Sequence, residues 1–146
     1  MKTFIAAVAS LILAGPVWAG GETPSNPDAQ VYFVNLADGD TVQSPLIVVF
    51  GLRGMGVAPA GTEQENTGHH HLLIDRPALG QGEDGADELS NGIPSDESHR
   101  HFGGGQTEVS VELSPGSHTL QLVLGDYGHV PHAKPIVSDV ITIEVK

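Results

Sequence analysis

Short runs rich in valine, isoleucine and leucine recur along this chain at residues 31–36, 46–52, 70–74, 107–113, 118–124 and 137–145, and several alternate apolar with polar positions. A period of two marks a strand with one face buried. The turns between them agree. Ala37-Asp38-Gly39-Asp40 follows the first run, and Ser114-Pro115-Gly116-Ser117 separates the fourth from the fifth. Residues of these types supply the backbone angles and side-chain caps that tight turns require. No helical period of useful length occurs after residue 19. Six or seven short strands in one domain predict an all-β fold, an antiparallel β-sandwich of immunoglobulin-like type. The mature chain lacks the Cys and Trp hallmarks of antibody domains, so the expectation concerns architecture alone.

The first nineteen residues read differently. Met1-Lys2 precedes an apolar stretch at 4–13, and Val17-Trp18-Ala19 places small residues where a signal peptidase reads them. This is the pattern of a cleavable secretory signal peptide over residues 1–19. The stretch is too short for a membrane anchor, which needs roughly 20 apolar residues. Cleavage after Ala19 leaves 127 residues, with 20–29 expected as a flexible leader and 30–146 as the sandwich domain. The mature chain is expected to be exported, with no membrane insertion.

Composition narrows the chemistry. The chain has no cysteine, which excludes disulfides, thiolate metal sites and a lipid-modified cysteine. Its 6 basic and 18 acidic side chains become 5 and 18 once Lys2 is removed, a formal charge of -13. Such a surface repels nucleic acid and anionic lipid and attracts cations.

Seven of the eight histidines fall in three groups: His69-His70-His71, His99-Arg100-His101 and His129-Val130-Pro131-His132. Neutral imidazole is a common ligand for zinc and copper. In an immunoglobulin-like arrangement, with strand directions alternating, all three groups lie at one end of the sandwich. Strand periodicity puts His69 and His71 on one face and His70 on the other, with Leu72 and Ile74. Rings two residues apart start roughly 6.7 Å from each other and must lean together to share an ion. The candidate ligands are therefore His69, His71, His99, His101, His129 and His132, for a copper or zinc ion. His118, beside the turn at 114–117, belongs to the opposite end and reads as a structural histidine closing the core. Met55 is expected near the ligand end, where a thioether would favour copper(I). The acidic loop at 76–98 reads as a solvated segment, and it matches no EF-hand pattern that would hold calcium.

Four strings, GHHHLLID at 68–75, HFGGGQTE at 101–108, LSPGSHTL at 113–120 and GDYGHVPH at 125–132, resemble a family of small exported bacterial proteins catalogued only as a domain of unknown function. The resemblance extends over about residues 31–146 and implies a periplasmic β-sandwich. It implies no activity.

The leading reading is a periplasmic module that holds copper or zinc through loop histidines. One alternative is a metal-dependent or histidine-dependent enzyme, with Asp126 or Tyr127 beside His129 as proton carrier or outer partner. No nucleophile elbow, His-Glu-x-x-His helix or phosphate loop supports it, so no catalytic residue is assigned. The other alternative is a metal-free module that binds another cell-envelope protein, with the histidines forming a hydrogen-bonded network around Asp75 or Asp126.

Overall fold

The computed structural model describes residues 20–146, so the expected signal peptide lies outside the described residues. In chain order the elements are β1 (Gln30–Phe33), β2 (Thr41–Val42), β3 (Leu46–Arg53), β4 (Gly56–Val57), β5 (Thr67–Ile74), α1 (Gly85–Ser90), β6 (His99–His101), β7 (Glu108–Val111), β8 (Gly116–Gly125), β9 (Pro131–Val137) and β10 (Ile141–Val145).

They form the expected all-β sandwich. One sheet has the order β1-β3-β7, and the other runs β2-β10-β8-β5-β4, with β6 alongside β5 and β9 alongside β8. The pairings are antiparallel except β2 with β10 and β4 with β5. This is an immunoglobulin-like layout, with β1, β3 and β7 in the places of strands A, B and E, and β5, β8 and β10 in those of C, F and G. Alternate residues meet between the sheets. Val31, Val48 and Phe50 on one side pack in a cluster with Leu72, Ile74, Leu120, Leu122, Leu124 and Ile143 on the other.

The apolar run at 137–145 is two strands rather than one. At the break, the Ser138 amide donates to Leu122 O, and Ser138 Oγ accepts from the Leu122 amide, each at 2.9 Å. A serine side chain thus replaces one rung of the ladder and lets the chain change direction. The sequence also gave no sign of α1. Six residues are too few to display a helical period, and a helix that short depends on tertiary packing. The segment at 76–98 lies over the outer face of the large sheet, where Leu79 and Ile93 close a second small core with Leu73 and Val123. Glu88, one of its acidic residues, is buried and paired with Arg76. The expectation of a wholly solvated acidic loop is corrected accordingly.

The leader expected to be flexible runs beside β9. The Gly20 amide donates to Ala133 O at 3.1 Å, the Gly21 amide to Pro131 O at 2.8 Å and the Ala133 amide to Thr23 O at 2.9 Å.

Candidate metal centre

β5 is buried on both faces, so its two sets of side chains have different surroundings. His70, Leu72 and Ile74 point between the sheets, and the His70 ring lies 5.1 Å from that of Phe50. His69, His71 and Leu73 occupy the outer face. Register then brings in a third ring, because His71 pairs with His101 on β6 and paired residues share a face. The fourth arrives from the turn between β8 and β9. There the Asp126 amide donates to Val130 O at 2.8 Å and the His129 amide to Asp126 O at 3.1 Å. His129 itself adopts φ 68°, which directs the turn back across the sheet.

The result is a group of four imidazoles, His69, His71, His101 and His129, each offering a nitrogen within 4.8 Å of the others. His69 Nε2 lies 3.1 Å from both His71 Nε2 and His129 Nδ1. His69 and His71 are fully buried, whereas His101 and His129 are partly exposed and form the open side. Two glycines make room for the rings. A Cβ on Gly125 would sit 2.8 Å from His71 Nε2, and one on Gly103 would sit 2.6 Å from His101 Nε2. Gly103 also forms part of the turn that follows β6. Over the open side, the Ala60 amide donates to Gly103 O and the Gly61 amide to Tyr127 O, both at 2.8 Å, tying the two turns together.

The electrostatics keep three of these rings, His69, His71 and His101, neutral. Burial, reinforced by repulsion from His69, His101 and His129, pushes the His71 pKa down to about 2. Burial with repulsion from His101 and His129 brings His69 to about 4, against an opposing pull from Asp126. Burial and His129 likewise lower His101. At neutral pH these three rings therefore present lone pairs. A metal-free network cannot use them well, because a ring nitrogen carries either one proton or one lone pair. His69 Nε2 can satisfy only one of its two neighbours, and His101 Nε2 has no hydrogen-bond partner among the described residues. A cation at the centre would engage all four nitrogens.

The other histidines lie elsewhere. The structure does not bring His99 and His132, both expected as ligands, into the group. His99 shares a strand face with His101, but its Nδ1 lies 2.9 Å from Asp96 Oδ1 and its Nε2 3.1 Å from Glu88 Oε1. That hydrogen bond holds the Asp96 carboxyl below its usual range. His132 belongs to β9 rather than to a loop. A register shift at Leu124/Gly125 carries it away from the cluster, and its Nε2 approaches Thr67 O at 3.3 Å. His118 closes the far end as expected, with Nδ1 2.6 Å from Asp75 Oδ2 and Nε2 2.8 Å from Ser114 O. Met55 packs against the core.

The family described as Domain of unknown function (DUF4399) matches the chain over residues 48–146, about two thirds of its 146 residues. The chain belongs to this family. The matched region contains all four clustered histidines together with Gly103, Gly125 and Asp126. No curated protein and no solved structure matches the chain.

Proposed function

We propose that this protein is a periplasmic module that binds one copper or zinc ion through His69, His71, His101 and His129, for buffering, delivery or structural closure. The observation that carries this reading is the position of His69 Nε2, 3.1 Å from two other imidazole nitrogens and able to satisfy only one by hydrogen bonding. Four nitrogen donors with neither thiolate nor thioether suit copper(II) and zinc(II). His69 and His71 are already deprotonated at neutral pH, the state in which imidazole coordinates a metal.

Elemental analysis of the untagged protein, purified from the periplasm without chelator, tests the reading. One equivalent of copper or zinc is expected, and Gly20 should be the amino terminus by mass spectrometry. Protein that arrives without metal and takes up neither ion in titration would defeat the proposal.

A further inference from the structure

Asp126 heads the turn that carries His129 and is 5% exposed. Its Oδ1 accepts hydrogen bonds from the amides of Gly128 at 2.8 Å and Val130 at 2.9 Å. Oδ2 accepts from the Thr23 hydroxyl at 2.6 Å. Both oxygens are thus occupied by donors, and Asp126 is outside the group of four nitrogens. The two amides bonded to its Oδ1 are those on either side of His129, so the carboxylate sits beside that member of the group. Four neutral imidazoles contribute no charge to an ion held among them, and a buried cation without a counter-charge is costly.

We propose that Asp126 is a positioning residue with a second role, an outer counter-charge that makes the four-histidine site prefer divalent to monovalent ions, zinc(II) and copper(II) over copper(I). This rests on the metal-binding reading above. The two roles separate by ion charge. Holding the turn in place helps every ion equally, whereas the Coulomb attraction of the carboxylate is twice as large for a divalent as for a monovalent ion. Removing the charge alone should therefore cost the divalent ion twice as much on a logarithmic scale. Asp126→Asn is suited to this, because the amide oxygen still accepts from Gly128 and Val130, and the Thr23 hydroxyl can turn to accept from the new amide nitrogen.

Zinc(II) and anaerobic copper(I) affinities of the full mature protein, measured by chelator competition, provide the test. Asp126→Asn should weaken zinc(II) by about ten- to a hundredfold, in the range of outer-partner losses, and copper(I) by only about three- to tenfold. Thr23→Val, which removes a hydrogen bond without removing charge, should shift both ions by the same factor. If the Asn variant does not fold, Asp126→Ser carries the same comparison, since its hydroxyl can still accept from the Gly128 amide. Equal losses for the two ions, or none, would overturn the counter-charge. A wild-type protein that binds neither ion would instead remove the metal reading itself.

Discussion

At one end of the sandwich four imidazoles face one another, while at the other His118 faces the Asp75 carboxylate and the Ser114 carbonyl. Both ends bury histidine, yet with opposite results. At His69, His71 and His101, burial and mutual repulsion lower proton affinity. At His118, burial also opposes the proton, but the hydrogen bond to Asp75, the Ser114 carbonyl and the charges of Asp75 and Glu144 outweigh it and raise the pKa. What a histidine does in this protein follows from the group its ring nitrogens meet, and only secondarily from burial. An acceptor makes a structural clip. Another imidazole leaves lone pairs directed at a common centre.

The comparison breaks first at His69. Its Nε2 is the nitrogen shared by two contacts, so His69→Ala should weaken copper(II) or zinc binding by more than the roughly hundredfold upper range of outer-partner losses. Isothermal titration measures this, and binding within tenfold of wild type would place the site elsewhere.

Acid should act oppositely on the two ends of the metal-free protein. The folded pKa values of His69 and His70 are about 4, and that of His71 is about 2, below their ordinary 6.5. Their contribution to stability is full above about pH 6.5 and is lost as pH falls toward the folded values. His118 has a raised folded pKa, so its contribution is full below about pH 6.5 and is lost as pH rises from there through the higher folded value. Urea unfolding between about pH 4 and 8 should show an acid-side loss that shrinks in His71→Ala, and a His118→Ala effect that fades on the alkaline side. An unchanged acid slope in His71→Ala would contradict the assignment.

A smaller effect is expected from Gly125→Ala, whose Cβ would crowd His71 Nε2 from 2.8 Å. The chain should still fold, with metal affinity reduced about tenfold through a displaced ring. Unchanged affinity would mean that the ring does not need that space. Smallest of all on metal binding are His118→Ala and His99→Ala, which should leave stoichiometry at the wild-type value. Loss of the Asp75 and Ser114 contacts should still cost the first about 1–3 kcal/mol in unfolding free energy. A lost equivalent of metal in His99→Ala would restore His99 to the ligand set.

Much of this was legible in the residues. Period-two alternation assigned His70 to the core and His69 with His71 to the opposite face, and alternating strand directions put the three groups at one end and His118 at the other. These are consequences of backbone geometry, which acts over a few residues and needs no partner to be read. Selecting the four clustered rings from six candidate ligands was beyond local pattern. His99 has the same strand spacing from His101 as His69 from His71, and what separates them is Glu88, brought by the covering segment to His99 Nε2. His132 was lost to the cluster through a register shift in β9, and Asp126 acquired its place through hydrogen bonds that reach as far as Thr23. The sequence by itself determined β1, β3, β5, β7, β8 and β10, the faces of β5 and the end of the sandwich where the histidines gather, but not β2, β4, β6 or β9. The tertiary structure alone decided which rings share a centre, because that depends on register, bulges and covering loops, whose energies come from packing between residues far apart in the chain.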